Sequence, residues 1–146
     1  MASLEYTIKI NRTFADVFRY ITDFDNLQTM QQWQPTLTAV NVTAGSPLRA
    51  GSSISMRKQL MGSSAFINAD VTDFQRNKRI ELKGVYGRFR FRRIIELTTG
   101  GRETTIRDEF ELRTPWFYFW YTPFFVSALK RQNADEWNRL KVLLER

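Results

Sequence analysis

The sequence contains no cysteine and no histidine. Without cysteine the chain has no disulfide framework, no thiol nucleophile and no thiolate metal site. Histidine is the commonest general base and the commonest metal ligand, so Ser-His-Asp, Cys-His and histidine-based zinc chemistry are excluded as well. Carboxylates alone can bind a metal ion, but the sequence has no clustered acidic loop such as an EF-hand. We therefore predict no metal and no cofactor.

Long apolar runs are also absent. The aromatic-rich stretch without a charged residue, 114–129, is shorter than the roughly 20 residues that span a bilayer, and it contains Pro115 and Pro123. The N-terminus begins with a strand pattern rather than with a charged and then apolar signal segment. We expect a cytoplasmic protein whose 146 residues form one domain, 1–146.

Alternation of apolar and polar residues marks five strand-like stretches between Ser52 and Arg113. A period of two predicts strands with one dry face. Glycine and asparagine predict short turns at Met61-Gly62, Arg76-Asn77, Tyr86-Gly87 and Gly100-Gly101. Folded at these turns, the strands pair Met56 with Ala69, Val71 with Leu82, Leu82 with Phe91, and Phe91 with Phe110. Every pair is apolar, which predicts a curved antiparallel meander with one apolar face.

Other elements flank this meander. A strand is predicted over 4–10, and Thr13 with Asp16 predicts the start of a helix. A second short helix carries Leu27, Met30 and Trp33, and a strand follows over 37–43. Thr122 as N-cap before Pro123 predicts a long helix to about residue 144, with an inward stripe of Val126, Leu129, Asn133, Trp137, Leu140 and Leu144. We predict an α+β fold, in which a curved seven-stranded antiparallel sheet wraps around a long C-terminal helix.

The net charge of +7 raises the question of an anionic partner. On the outward face of the predicted sheet, however, arginine and glutamate alternate, and Arg92 is expected between Glu81 and Glu109. Such pairs are typical of a solvated sheet face. Phe66 is the one aromatic residue there, so we do not predict nucleic acid as a partner.

Several segments resemble the helix-grip fold of the START and birch-pollen-allergen superfamily (SRPBCC), in its polyketide cyclase/dehydrase-like branch. The resemblance rests on Trp33 and on segments 6–11, 14–23, 50–52, 70–74 and 100–105. It implies an internal cavity for apolar or amphipathic small molecules such as lipids, sterols or polyketides. Some members of the superfamily are cyclases or hydratases, whereas others only carry or sense ligands.

Four polar residues interrupt the inner apolar faces: Lys58, Arg93, Asp108 and Asn133. The predicted register makes Arg93 and Asp108 direct cross-strand neighbours. They form either a structural ion pair near the rim or a cavity pair, in which Arg93 binds a ligand carbonyl or carboxylate that Asp108 orients. Lys58 can instead extend past a strand end into water, and Asn133 can bond to backbone.

The predicted ligand-binding residues are Trp33, Met56, Lys58, Ile67, Tyr86, Phe89, Phe91, Arg93, Asp108, Phe110, Leu129, Asn133 and Trp137. A solid core and a cavity wall have the same residue composition. The sequence therefore does not decide which of the two the aromatic residues of this set form. An interior smaller than roughly 300 Å³ would fall outside the usual range of ligand pockets.

Residues 116–125 include eight aromatic residues in ten positions. Ten contiguous residues cannot all face inward on a strand or a helix, so some of these rings cover an opening or are exposed. We predict a portal or lid of Trp116, Phe119, Trp120 and Phe124. Core packing is one alternative; transient contact with an anionic membrane, helped by Arg113, Lys130 and Arg131, is another.

Three functions follow. The first is binding or carriage of an apolar or amphipathic small molecule in a cavity between the sheet and the last helix. The second is a cofactor-free polyketide cyclase or dehydratase, in which Arg93 polarises a carbonyl while Asp108 or Tyr86 moves protons. The third is a basic, aromatic adaptor at a membrane surface. The sequence predicts no oligomeric state.

Overall fold

A seven-stranded antiparallel sheet and a long C-terminal helix make up the fold. The structure is a computed structural model and describes residues 2–146. The strands are β1 (Ala2–Ile10), β2 (Leu37–Ala44), β3 (Ser53–Leu60), β4 (Ser63–Gln75), β5 (Arg79–Tyr86), β6 (Phe89–Gly100) and β7 (Glu103–Arg113). The helices are α1 (Phe14–Ile21), α2 (Leu27–Gln31), a 3₁₀ turn (Trp116–Tyr118) and α3 (Thr122–Leu144).

The strand order in the sheet is β1-β7-β6-β5-β4-β3-β2. Strands β2 to β7 follow one another as a meander, and β1 pairs antiparallel with β7 at the far edge. Helices α1 and α2 connect the two edge strands, and α3 packs against the apolar face. The predicted helix-grip fold is confirmed.

Three of the predicted strand pairings are wrong by two residues. Only Val71 with Leu82 is confirmed; Met56 faces Ile67, and Phe91 lies opposite Gly84 on one side and Leu112 on the other. The β5–β6 and β6–β7 turns begin at Gly87 and Gly101, which have positive φ of 61° and 80°. A shift of two residues leaves every side chain on the same face.

Helix starts follow local hydrogen bonding. The Thr13 side chain accepts from the Asp16 amide at 3.4 Å, as predicted, and Asn26 caps α2. Thr122 is not the N-cap of α3: that position is Tyr121, whose φ and ψ of −85° and −25° are already helical. The preceding 3₁₀ turn already leaves the backbone in a nearly helical conformation. Helix α3 therefore begins one residue earlier than the Thr122-Pro123 pair predicts.

The core lies between the concave face of the sheet and α3. Leu129, Asn133, Trp137, Leu140 and Leu144 of α3 are buried as predicted. At the start of the stripe, Phe125 is buried and Val126 only half-buried, so the predicted inward position is wrong by one residue. Within residues 2–146, no helix combines the length and the apolar character needed to cross a membrane.

Candidate functional site

An ion pair joins β3 to α3. Lys58 Nζ donates to Glu136 Oε2 at 2.7 Å and to Gln34 Oε1 at 3.0 Å, and all three residues are buried. Lys58 therefore does not reach water, because α3 covers the strand at this point and Glu136 supplies a counter-ion. Burial lowers the pKa of Lys58, and the negative charge of Glu136 opposes that shift.

A second ion pair lies nearby on the sheet. Arg93 Nε and Nη2 donate to the two carboxylate oxygens of Asp108 at 2.9 and 2.7 Å, and Trp137 Nε1 donates to Asp108 Oδ2 at 2.8 Å. The two residues are not direct cross-strand neighbours: Arg93 lies opposite Phe110 and Asp108 opposite Ile95. Their side chains meet on the diagonal, which long side chains can span.

This pairing determines the chemistry of both groups. Both oxygens of Asp108 are engaged by three donors, so the carboxylate holds Arg93 and the Trp137 indole in place. Burial acts to lower the pKa of Arg93, but the charge of Asp108 and the hydrogen bonds to it outweigh burial and raise that pKa. Arg93 is thus a permanent cation whose charge is already neutralised.

Between the sheet, α3 and the segments on either side of α2 lies an inner chamber of about 40 Å³. Most of the predicted ligand-binding residues line it: Trp33, Met56, Lys58, Ile67, Tyr86, Phe91, Arg93, Phe110, Leu129 and Asn133. Phe89, Asp108 and Trp137 are not part of its lining. The volume is far below the roughly 300 Å³ of a small-molecule pocket and suits one to a few water molecules.

Two donors in the chamber wall have no partner. The Trp33 indole N–H and the Tyr86 hydroxyl are buried without a hydrogen bond to any described residue, although buried polar groups are nearly always paired. Burial raises the pKa of Tyr86, and the charge of Glu136 raises it further against the opposing effect of Arg93. Tyr86 therefore keeps its proton and is a free donor.

A larger cleft opens at the end of the sheet where the β3–β4 and β5–β6 turns lie. Its volume is about 390 Å³, within the range of ligand pockets. It is lined by Leu60, Ser63, Ala65, Tyr86, Gly87, Arg88, Phe89, Trp120, Tyr121 and Phe125. Tyr86 belongs to the walls of both this outer cleft and the inner chamber, so the two spaces are neighbours across one side chain.

Stacked rings form part of the cleft wall. Phe89 and Phe125 stack with centroids 4.2 Å apart, Phe125 meets Tyr86 edge-to-face at 5.6 Å, and Phe89 stacks on Tyr121 at 6.5 Å. The rings connect β5 and β6 to the first turns of α3. The positions of Phe89 and Phe125 therefore set the depth of the cleft.

The aromatic run divides as the sequence argument requires. Phe125 is buried, whereas Trp116, Phe117, Phe119, Trp120 and Phe124 are exposed. Of the predicted portal residues, Trp120 lines the outer cleft; Trp116, Phe119 and Phe124 do not.

Sequence reasoning missed Glu136 and Gln34 as partners of Lys58, and Tyr121 and Phe125 as cleft residues. Glu136 had a usable signal, because it lies three residues after Asn133 and seven after Leu129, on the inward stripe of α3. An inward lysine on the sheet also requires a counter-ion.

The family described as polyketide cyclase / dehydrase and lipid transport matches residues 1–145 of this chain. The chain therefore belongs to this family, which places it in the SRPBCC superfamily. No curated protein sequence gives a significant match.

Solved structures show the same fold at low sequence identity. The ZhuI aromatase/cyclase from Streptomyces superposes with a TM-score of 0.78 at 10% identity, covering 99% of this chain and 94% of that one. Ginseng major latex-like protein 151 from Panax ginseng has a TM-score of 0.74 at 9% identity, covering 99% and 98%. A START superfamily protein from Mycobacterium smegmatis has a TM-score of 0.68 at 16% identity, covering 98% and 94%. At these identities the likeness shows the fold alone.

Proposed function

We propose that the protein binds an uncharged amphipathic small molecule in the outer cleft, with a hydrogen-bond acceptor directed at Tyr86. The observation that carries the proposal is the shared wall: Tyr86 borders an apolar cleft of about 390 Å³ and also presents an unpaired buried hydroxyl. Pockets of this kind combine an apolar lining with a few polar groups that fix orientation. The lipid, sterol and polyketide ligands implied by the family fit this description.

The charges of the chamber favour an uncharged ligand. Lys58 is neutralised by Glu136, and Arg93 by Asp108. A ligand carboxylate directed at the Tyr86 hydroxyl would be a fifth charge beside these two neutralised pairs, and burying it there would cost several kcal/mol. A carbonyl or hydroxyl oxygen, by contrast, satisfies the free Tyr86 donor at no such cost. Arg93 then has a structural role as the partner of Asp108 and does not bind a carboxylate of the ligand.

Binding is favoured over catalysis by the protonation states around the chamber. A cyclase or dehydratase needs a group that accepts a proton. Tyr86 keeps its proton, Arg93 keeps its charge, and Asp108 has both oxygens engaged. Among the described residues that line the chamber, the remaining titratable group is Lys58, which donates to Glu136 and Gln34.

Fluorescence titration with Prodan, a neutral dimethylaminonaphthyl ketone, tests this proposal. We expect a saturable blue shift in its emission with the wild-type protein. Ala65→Trp fills the cleft and should abolish it, whereas Val142→Trp, which adds the same ring at an exposed position of α3, should leave it unchanged. Tyr86→Phe removes one neutral hydrogen bond and should weaken affinity by roughly threefold to tenfold.

The proposal is wrong if Prodan binds equally well to the wild-type and Ala65→Trp proteins, or if neither it nor any co-purified molecule binds the wild-type protein. Native mass spectrometry of the freshly purified protein supplies the second measurement. An unchanged affinity in Tyr86→Phe alone would overturn the role of the hydroxyl and leave the cleft as the binding site.

A further inference from the structure

Five large aromatic side chains project from one end of the molecule. They are Trp116, Phe117, Phe119, Trp120 and Phe124, and they define what we call the aromatic face. Trp116 is 83% exposed and Phe119 73% exposed. A water-exposed cluster of this size is rare on a monomeric protein and marks a surface that contacts something else.

The aromatic face has cations around it and no acids in its own sequence. Between Leu112 and Ala134 the chain contains no aspartate or glutamate. Arg113 ends β7 three residues before Trp116, and it lies directly opposite Arg90 in the β6–β7 register. Arg88 lines the outer cleft together with Trp120.

The Arg90–Arg113 pair is electrostatically unfavourable in the free protein. Like charges directly opposite one another destabilise a sheet. Among the described residues, no carboxylate lies within ion-pair distance of either arginine, whereas neighbouring Arg92 contacts both Glu81 and Glu111. The two arginines border an open groove of about 580 Å³ on the outer face of the sheet, whose other charged lining residues are Lys83, Arg92 and Glu111. Cations therefore outnumber carboxylates in this groove by four to one. An anionic partner would relieve their repulsion.

The start of α3 adds positive potential at the same place. This helix of 23 residues begins at Thr122, next to the exposed rings, with no side-chain cap and no acidic residue in its first turn. The N-terminal end of a helix carries a partial positive charge. The charges of the arginines and of the helix end thus have the same sign.

We propose that the aromatic face docks the protein onto an anionic lipid bilayer. Tryptophan and phenylalanine rings enter the headgroup zone, where tryptophan is favoured. Arg90 and Arg113 then lie near lipid phosphates and acidic headgroups, which attract basic residues close to the surface. Rings in lipid and cations in the interface are the arrangement of a peripheral membrane protein.

The charges favour a bilayer over a second copy of the chain. A symmetric dimer through the aromatic face would bring the arginines of the two copies, and the positive ends of two helices, towards each other. That repulsion is absent at an anionic surface.

Docking in this orientation places the outer cleft at the lipid surface, since Trp120 belongs to both the cleft and the aromatic face. The position of the cleft matters only if the proposed function is right, because a ligand could then enter the cleft from the bilayer. Docking itself does not depend on it.

Co-sedimentation with phosphatidylcholine vesicles, with and without phosphatidylserine, tests docking. We expect binding to phosphatidylserine vesicles at low ionic strength, and a loss of about tenfold or more in Trp116→Ser/Phe119→Ser, because each ring removed forfeits apolar burial. Phe66→Ser is the matched control, since Phe66 is an exposed ring on the outer face of β4. It should bind as the wild type does.

The charge contribution has its own control. Arg90→Gln/Arg113→Gln should weaken binding at low ionic strength by roughly fivefold per charge. Arg76→Gln/Arg102→Gln removes the same charge from turns at the opposite end of the sheet and should have little effect. Salt should weaken the wild type more than the Arg90→Gln/Arg113→Gln variant.

Three outcomes would overturn the proposal: no wild-type binding at low ionic strength, equal losses in the test and control variants, or a dimer in sedimentation velocity that Trp116→Ser/Phe119→Ser dissociates. The last would assign the aromatic face to a second copy of the chain. Ala65→Trp separates the two proposals, because it should lose Prodan binding and keep vesicle binding.

Discussion

Lys58 Nζ and Glu136 Oε2 lie 2.7 Å apart at the centre of the molecule, with side chains only 5% and 3% exposed. The pair joins β3, the neighbour of the edge strand β2, to the middle of α3, and Gln34 adds a hydrogen bond from the segment after α2. Each charge is out of water and depends on the other for its stabilisation. The pair therefore sets how closely α3 approaches the sheet beside the chamber.

Removing one member of this pair should destabilise the protein strongly. Glu136→Gln leaves a buried ammonium without its counter-ion, which costs about 3–5 kcal/mol in the free energy of unfolding. The double variant Lys58→Met/Glu136→Leu removes both charges and should recover most of that loss. Urea unfolding of the three proteins measures the difference.

Asp135→Asn is the matched control, one residue away on α3. Its carboxylate contacts Arg139 at 2.7 Å with both side chains more than half exposed. Exposed pairs contribute about 0–1 kcal/mol. If Glu136→Gln were no more destabilising than this control, the ion pair would not be the connection that we describe.

Asp108→Asn should affect stability more than ligand affinity. The change keeps the shape of the side chain but removes the charge that neutralises Arg93, so we expect a loss of about 3 kcal/mol in unfolding free energy. The affinity of the folded protein for Prodan should stay within about twofold, because Asp108 does not line the outer cleft and its replacement removes no ligand contact. A Prodan affinity that fell more than tenfold without loss of stability would instead place Asp108 in contact with the ligand.

Gly84 is required by the close approach of β4 and β5. A Cβ atom at this position would lie 1.9 Å from the Asn68 carbonyl oxygen and 2.7 Å from Ala69 Cα, both of them backbone atoms. Gly84→Ala should therefore cost about 1–3 kcal/mol or more, because the strands must separate. Gly100→Ala, where nothing lies within 4 Å of the added atom, should stay within about 0.5 kcal/mol. Thermal unfolding compares the two directly, and equal shifts in Tm would contradict the close approach.

Tyr86 predicts a loss of stability at alkaline pH. Its pKa is raised in the folded protein by burial, while a tyrosine in the unfolded chain titrates near about 10. Below that value both states are protonated and the contribution of the group is fully present. As the pH rises further, the unfolded state loses its proton first, so stability falls by up to about 1.4 kcal/mol per pH unit.

Comparison of variants isolates this effect. Tyr86→Phe should lose less stability than the wild type when urea unfolding at pH near 9 is compared with unfolding near pH 11, a range that brackets the tyrosine pKa of about 10. Tyr20→Phe, a half-buried ring on α1, controls for the loss of a hydroxyl. Identical pH dependence in Tyr86→Phe and the wild type would show that Tyr86 titrates normally.

The fold follows from the sequence because period-two alternation and turn residues are local signals. The strand registers were harder to predict than the strands themselves. In the last hairpin, for example, a turn beginning at Gly100 and a turn beginning at Gly101 both keep the apolar residues on one face. A pairing rule based on polarity cannot distinguish two registers that differ by two residues. The Arg93–Asp108 pair was found in spite of the wrong register, because side chains of that length also meet on the diagonal.

The site was only partly predictable. Most of the predicted ligand-binding residues line the chamber, because the prediction and the chamber wall both depend on which residues face inward. The small volume of the chamber depends on how the rings in its wall, Trp33, Tyr86 and Phe91, pack, and ring packing is not encoded in any local pattern. Glu136 was overlooked because the stripe of α3 was read for apolar residues, although an inward lysine on the sheet required an inward acid.

The attachments of α3 are unequal along its length. Gln132, Glu136, Trp137, Asn138 and Lys141 all bond to other elements of the fold, and Glu145 just beyond the helix accepts from the Asn11 amide. The first turns meet the sheet mainly through the Phe89–Phe125 ring stack, and Thr122 and Tyr121 add side-chain hydrogen bonds to Thr114 and Met61. Lifting that leading end would separate rings and two side-chain hydrogen bonds but would leave every strand pairing intact. We therefore expect a guest larger than the outer cleft to displace the start of α3, while the C-terminal half of the helix stays attached.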